Sequence, residues 1–421
     1  MSLTVEEIRA AIEALVAAGE NPTQVKVRAK LGRGSYATIN KVLREWRQEK
    51  NSEPSAVGLA NQYSKSMDAN ELLSLYAGGE RNFSEIDLSE VFLVEAILPA
   101  IDLSSADLRG ANLTKINLRA ANLKGANLRN ANLQGADLSG ADLTEAFLQN
   151  ADLTSAYLKG ARLTMVKLEG AKLQSADLTG AYLQQAQLPN VDLSNTSLVG
   201  VLFNQANLRG VNLSGANLSG ADLSQAQMHQ AILVRANLSN TKLYYTSLGK
   251  ANLFRANLSK ADLTATQLQE ANLDEADLSN VVLNTSNFSN SSLQRSKLTN
   301  AIAINNNGIT LNNANLSGTD LSGAKLPRAN FKQANLAETN FSGVSMIEAE
   351  FTQANISGAK LNGANLQKAN LTQATIMDAD LTGADLSGAN CDRTNFLGSN
   401  LQDVNFTGVT NKASALFPDD L

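Results

Sequence analysis

Cysteine, histidine and tryptophan occur once each in the 421 residues, there are six prolines, and aromatic side chains make up only 5% of the chain. A lone cysteine, Cys391, excludes an internal disulfide. His229 has neither a second histidine nor a nearby cysteine with which to share a metal ion, and no nucleophile pattern surrounds it. Carboxylates are plentiful but so evenly spread that no pair is singled out for acid–base work. Long apolar runs are missing too. No stretch approaches the length needed to cross a bilayer, and Met1 to Glu7 lacks a basic start followed by an apolar segment. The expectation is a soluble, cytoplasmic chain that is not an enzyme and needs no cofactor, metal or membrane. Its 43% hydrophobic content is mostly Leu and Ala spread thinly, which suits a narrow repeated core better than a globule.

What the chain has in abundance is one pattern. From Phe83 to Leu298 every fifth residue is large and apolar, usually in the form Ala-(Asp/Asn)-Leu-x-x. A period of five fits neither the 3.6 of an α-helix nor the 2 of a flat strand, so the chain must coil with a whole number of repeats per turn. Central residues such as Leu218 and Leu223, with the small Ala216 and Ala221 two places earlier, are read as inward; the polar remainder faces water. Pro99, Pro189 and Pro327 each follow a central Leu, a corner position where a fixed φ and a missing N–H cost little. Cys391 stands at a central position and reads as a small buried hydrophobe. His229 follows the central Met228 and reads as outward.

The segment Ala136-Asp137-Leu138-Ser139-Gly140-Ala141-Asp142-Leu143-Thr144 resembles the pentapeptide-repeat proteins, and the resemblance runs over residues 81–408. It implies a mainly β fold, a right-handed quadrilateral β-helix with one repeat per side; the number of sides comes from the resemblance and not from the residues. About 44 central positions before a break and about 20 after it make roughly 16 coils, a rod of roughly 75 Å at about 4.8 Å per coil. The break falls at 299–310, where thirteen residues instead of ten separate Leu298 from Leu311. A tolerated surface insertion is expected there, with a partner-binding loop or a bend as the sharper alternative.

Residues 1–50 differ in kind. They carry nine Lys or Arg against six Glu, a net of +3 in a chain whose total is −5. Val5, Ile8, Ile12, Leu15 and Val16 recur at helical spacing until Gly19-Glu20-Asn21-Pro22. Thr23 is placed to cap a second helix with Val27 and Leu31 inward. Gly32-Arg33-Gly34 makes a turn, Ser35 caps a third helix, and Ile39, Val42, Leu43 and Trp46 give that helix an apolar face. The unit has a helix-turn-helix cadence. Ser35, Tyr36 and Thr38 lie at the start of the third helix, and Asn40, Lys41, Arg44 and Arg47 lie on its polar face. Helix N-termini suit phosphate, while Asn and Arg suit base edges in the major groove. Lys26, Lys30 and Arg33 are candidates for sequence-independent backbone contacts.

The landmarks Thr4-Val5-Glu6-Glu7-Ile8-Arg9, Gly19-Glu20-Asn21-Pro22-Thr23, Leu31-Gly32-Arg33-Gly34-Ser35-Tyr36 and Leu43-Arg44-Glu45-Trp46-Arg47 resemble the N-terminal domain of KfrA-type plasmid proteins. That resemblance implies a bacterial protein that binds duplex DNA. No heptads follow, so the coiled coil that usually dimerises that family is absent here. The bland alternative is a basic bundle that only caps or tethers the repeats.

Residues 51–66 read as a flexible tether, rich in Ser with Pro54 and Gly58. Within 67–80, Asp68-Ala69-Asn70-Glu71 has capping-box spacing, and Leu72, Leu73 and Tyr76 form a short apolar helix expected to plug the first coil. Residues 409–421, with Phe396, Phe406 and Leu416-Phe417-Pro418 around them, read as a C-terminal cap or a homodimer contact. Arg235, Tyr244, Tyr245, Phe254 and Arg255 form a candidate partner patch, with the caution that scattered exposed residues of this kind are usual. Lys159, Arg162, Lys167 and Lys172 form a second basic coil. Three functions follow: a non-enzymatic DNA-binding protein whose rod serves protein interaction or self-association; a DNA-mimicking rod directed at a type II topoisomerase; or a protein-only scaffold.

Overall fold

The computed structural model describes residues 3–19, 22, 24–33, 38–39, 41–43, 45–46, 67–303 and 308–418. Helix α1 (Val5–Ala17) begins at a reciprocal capping box: the Thr4 hydroxyl accepts from Glu7 N at 3.2 Å, and the Glu7 carboxylate accepts from Thr4 N at 2.8 Å. Its buried stripe is Ile8, Ala11, Ile12 and Leu15, whereas Val5, on the first turn, is 46% exposed and lies outside the core. Helix α2 (Gln24–Leu31) ends at Gly32, whose φ of 66° reverses the chain without a Cβ penalty. Val27 packs with Ile39, Val42, Leu43 and Trp46, which lie on the helical residues that follow, and with the stripe of α1, so one small core joins all three segments. Thr23, Gly34 and the tether at 51–66 lie outside the described residues.

Helix α3 (Ala69–Ala77) is capped by Asp68, whose carboxylate accepts from Glu71 N at 3.0 Å. Leu72 is buried, but Leu73 and Leu75 are 38% and 43% exposed, so the apolar face is narrower than its composition suggests. The helix is tied to the first coil by Met67 N donating to Asp87 O and by the Tyr76 hydroxyl donating to Pro99 O at 2.7 Å. Arg81 lies over the Tyr76 ring at 3.8 Å, and the Glu80 carboxylate accepts from Asn82 N at 2.8 Å, capping an N–H on the first rung.

Beyond Arg81 the chain winds in coils of twenty residues. Parallel bridges pair Asn82 with Asp102 and so on to Asp137 with Tyr157; a second series runs from Arg162 paired with Tyr182 to Asn395 paired with Leu416. The first series falls within one compact unit, Met1–Tyr157, and the second within another, Leu158–Leu421. Twenty residues in repeats of five make four sides per coil, the number that the residues alone did not reveal.

The repeat 218–222 shows why the pattern is Ala-Asx-Leu-x-x. Leu218 N donates to Asn237 O one coil on, Gly220 N to Ser239 O, Ala221 N to Leu218 O across the corner, and Asp222 N to Val201 O one coil back. One N–H is left over, that of Ser219, and the Asn217 side chain accepts it at 3.2 Å. All five donors are satisfied, as a buried ladder requires. The Asx residue is therefore structural as well as outward-facing. Proline has no such N–H to satisfy, and beside Pro99, Pro189 and Pro327 the Asx position holds Ile97, Gln187 and Lys325. Where the small inward residue is Thr or Ser, its hydroxyl mostly finds a carbonyl, as Thr246 does on Leu223 O at 2.8 Å, whereas the buried hydroxyl of Ser296 has no partner.

Every regular corner among the described residues places its second residue at positive φ, and many of these residues are not glycine, with φ near 53–61°. Thr285 is the single β-branched residue among them at φ 56°, a conformation that branching at Cβ makes unfavourable. Thr285→Gly should raise the unfolding temperature, with about 1 kcal/mol of relieved strain partly offset by the greater chain entropy of glycine. A thermal melt reads the sign; a lower Tm would mean that the corner carries no strain.

The register break is narrower than 299–310. Asn300 N still donates to Ser322 O and Ala303 N to Lys325 O, and Ile309 is already inward and buried. The ladder crosses it with Ile302 bridged to Lys325 and Asn287 to Thr310, so the sides are intact on both flanks of the break; residues 304–307 lie outside the described residues. At the C-terminal end the register also runs further than expected, to Thr410 and Leu416. There Phe396 and Phe417 stack at 5.2 Å, Phe406 meets both rings edge-on, and the Lys412 ammonium lies over Phe406 and Phe417.

Candidate nucleic-acid interface

Helix α2 is the most basic element described. Within Gln24–Leu31 stand Lys26, Arg28 and Lys30 with no acidic residue, and the positive charges sit toward the C-terminal end, where the helix dipole favours them. Arg28 and Lys30 are exposed and Lys26 is half-buried. Arg28 was not among the residues singled out from the sequence, although its alternation with Lys26 and Lys30 was readable there.

Arg33 is differently placed from its expected role. Its guanidinium donates to Glu7 Oε1 at 2.9 Å. Glu7 is the capping-box acid of α1, and the Thr4 backbone N–H, followed by Arg33, holds its carboxyl below the usual range. The ion pair links the turn after α2 to the start of α1. Thr38 and Lys41 are exposed on the third helical segment, beside buried Ile39 and Val42. Ser35, Tyr36, Asn40, Arg44 and Arg47 lie outside the described residues.

The candidate partner patch on the coils does not come together. Residues twenty apart stack, so residues ten apart stand half a coil from each other. Arg235, Phe254 and Arg255 share one corner series, while Tyr244 and Tyr245 occupy the series on the opposite side. Arg255 lies over the Phe254 ring at 4.8 Å and is paired with Glu275 at 2.7 Å. Tyr245 is 66% exposed, whereas Tyr244 is half-buried, and burial together with Asp262 raises its phenol pKa.

Corner charges elsewhere follow the same twenty-residue pairing. Lys115 meets Glu95 at 3.2 Å, Lys250 meets Glu270 at 3.4 Å, and Arg328 meets Glu348 at 2.7 Å. In each of these pairs, opposite charges follow one another along the stack. Cys391 is buried, which pushes its thiol up to about 11 and makes it a packing group rather than a nucleophile. Among the described residues there is no cluster of three or more His, Cys, Asp or Glu able to hold a metal ion, and no helix long and apolar enough to cross a membrane.

A chain that adds one five-residue repeat per side to a parallel ladder is a β-helix solenoid protein, here with a helical segment at its N-terminus. The family described as Pentapeptide repeats (8 copies) matches in segments spanning residues 82–302 and 314–410, and the chain belongs to the pentapeptide-repeat family. A second family, described as Plasmid replication region DNA-binding N-term, matches residues 4–69. Among solved structures, similarity is found to HetL, a pentapeptide repeat protein involved in heterocyst differentiation regulation from the cyanobacterium Nostoc sp. strain PCC 7120: 34% identity over 65% of this chain and 96% of that one, with a TM-score of 0.29. A pentapeptide repeat protein from the Arabidopsis thaliana thylakoid lumen is 38% identical over 24% of this chain and 69% of its own, TM-score 0.22. QnrB1, a plasmid-mediated fluoroquinolone resistance protein, is 20% identical over 54% of this chain and 91% of its own, TM-score 0.22. No curated relative matches significantly.

Proposed function

We propose that the chain is a non-enzymatic DNA-binding protein in which the N-terminal helical unit engages duplex DNA and the coils offer a regular surface to a protein partner or a second copy. The observation that carries the reading is the match of a DNA-binding family to residues 4–69, over the segment where α2 sets three basic residues on one short helix. In this reading the unit is a helix-turn-helix. Lys26, Lys30 and Lys41 contact phosphates, the hydroxyls of Ser35, Tyr36 and Thr38 sit at the start of the recognition helix, and Asn40, Arg44 and Arg47 face the bases. Protein interaction by the coils rests on the repeat family alone. The topoisomerase-directed reading needs a side that imitates the phosphate backbone, and the alternating corner charges speak against it.

Fluorescence anisotropy with random and genomic duplexes tests the reading. The full chain should bind with strong salt dependence, and deletion of residues 1–50 should abolish binding. Lys30→Ala should weaken all duplexes alike and lower the salt slope by about 1, whereas Arg44→Ala should cost about 1–3 kcal/mol at the preferred site. Binding that survives the deletion would place the DNA contact on the coils; no binding by the full chain would leave the protein-only scaffold.

A further inference from the structure

Repeat 231–235 lacks the acceptor that the regular repeat supplies. Its Asx position holds Ile232, which cannot accept a hydrogen bond, so the Val234 N–H has no partner among the described residues. In a regular repeat that N–H is directed to the outward Asx side chain, as Ser219 N is to Asn217 at 3.2 Å. The same repeat ends at Arg235, which is exposed on its corner and makes no ion pair and no side-chain hydrogen bond among the described residues. Apolar surface adjoins both groups. Ile232, 41% exposed, and half-buried Val234 flank the inward Leu233 on one side of the coil. Phe254, half-buried, is twenty residues on from Val234 and stacks beside it, and its carbonyl accepts from Arg235 N at 3.0 Å. The other cations of this side are already compensated by the coil that follows: Arg255 by Glu275 at 2.7 Å and Lys250 by Glu270 at 3.4 Å. Three apolar side chains, one open N–H and one uncompensated guanidinium therefore share a single side. An apolar centre with a polar rim that includes an arginine is the anatomy of a docking surface.

Building on the reading of the coils as a protein-interaction surface, we infer that Ile232, Val234, Arg235 and Phe254 dock a short acidic and apolar peptide segment of a partner protein. One aspartate or glutamate carboxylate of that segment accepts from the Val234 N–H and the Arg235 guanidinium, and an apolar side chain next to it covers Ile232 and Phe254. Charge complementarity selects this occupant. A carboxylate is the group that accepts from an N–H and a guanidinium together, with the charge-assisted bond the stronger of the two. The half-buried N–H gains a partner that the fold does not give it, and the apolar neighbours exclude water from the bond. Nucleic acid fits the same side poorly. A phosphate backbone following the stack would pass Arg235 and then, within two coils, meet Glu270, Asp274 and Glu275 on the same side and its corners. A base would find no free ring to stack on, because Arg255 lies over the Phe254 ring at 4.8 Å. A single carboxylate beside an apolar side chain avoids both obstacles. With so few contacts, one segment binds on the order of millimolar to tens of micromolar.

The test selects phage-displayed random peptides on the immobilised full chain and measures the enriched peptides, labelled with a fluorophore, by anisotropy on the parent, Arg235→Glu and Ile232→Asn. Both variants keep the fold. Glu275 already holds the corner conformation of Arg235, at φ 59°, and Asn at 232 restores the acceptor for Val234 N, so that variant should melt no lower than the parent. The enriched peptides should pair Asp or Glu with an adjacent aliphatic or aromatic residue. Their affinity should fall about fivefold in Arg235→Glu and about tenfold in Ile232→Asn, which removes apolar area and closes the N–H at once. Exchanging the peptide's acid for Lys should weaken binding to the parent and restore it to Arg235→Glu. Enriched peptides without that acidic and apolar pairing, or with equal affinity for the parent and both natively melting variants, would overturn the site while leaving the coils a protein-interaction surface. No enrichment on any form would overturn the site and that broader reading together. A single-stranded oligonucleotide that binds the parent and loses affinity in both variants, with no peptide enriched, would make the patch a nucleic-acid contact and overturn the peptide assignment.

Discussion

Leu218→Lys should leave the chain unable to fold its coils, seen as loss of the cooperative melt and as aggregation on a sizing column. Leu218 is fully buried, and Ala216, Ala221 and Leu223 around it are buried as well. Its own N–H and the carbonyls of its neighbours are committed to the ladder, so no polar atom near it is available to a lysine ammonium. An unpaired charge in such a place costs far more than the margin by which a domain is stable, roughly 5–15 kcal/mol. Nor can the defect stay local. Each coil is both floor and ceiling for its neighbours, and in stacked repeats an interface lost in the middle separates the two halves. Leu218→Met is the control. Met228 and Met346 already occupy central positions and are buried, so the substitution should cost less than about 1.5 kcal/mol. A lysine variant that melts like the parent would show that the central position is not inward.

How much of this was readable beforehand differs by feature, for physical reasons. The five-residue period and the inward Leu and Ala were legible because burial is enforced at every repeat, and Leu218, Leu223, Ala216 and Ala221 are all fully buried. The number of sides was not, because all four sides use the same residues and leave no twenty-residue signature. The role of Asx at the second position was hidden because it answers a backbone N–H that only the coiled ladder leaves over, as Asn217 does for Ser219. The pairing of Arg235 and Phe254 with Tyr244 and Tyr245 failed through proximity in sequence: ten residues are close along the chain and half a turn apart around it. In the helical unit, Ile8, Ile12, Leu15, Val27, Ile39 and Trp46 were legible from their spacing. Arg33 was not, since its bond to Glu7 joins residues 26 apart.

Gly308→Ala is expected to be the most damaging glycine-to-alanine change among the described residues, about 3 kcal/mol, and the comparison with Gly220 isolates the cause. A Cβ at Gly220 would meet nothing within 4 Å, and its only cost is the left-handed φ of 67°, about 1–2 kcal/mol; corner residues such as Arg235 and Tyr245 already bear the same conformation. Gly308 has no positive φ to relieve. A Cβ there would instead overlap the carbonyl carbon and oxygen of Arg328 and approach Ala329 N to 2.9 Å. These are backbone atoms of the next coil, fixed by Arg328 N donating to Ile347 O and by the Arg328 pair with Glu348, so no side chain can swing aside. Either Gly308 lifts off the stack or the neighbouring coil moves, and both disturb the bonds of Ala303 N to Lys325 O, Asn330 N to Ile309 O and Leu311 N to Asn330 O. Hydrogen exchange should therefore show Leu311 and Asn330 amides losing protection in Gly308→Ala, with coils near Leu218 unaffected, while Gly220→Ala shifts the melt only slightly. Equal melts and equal exchange for the two variants would mean that the inserted corner swings outward freely, and that the insertion is attached to the ladder by its sides alone.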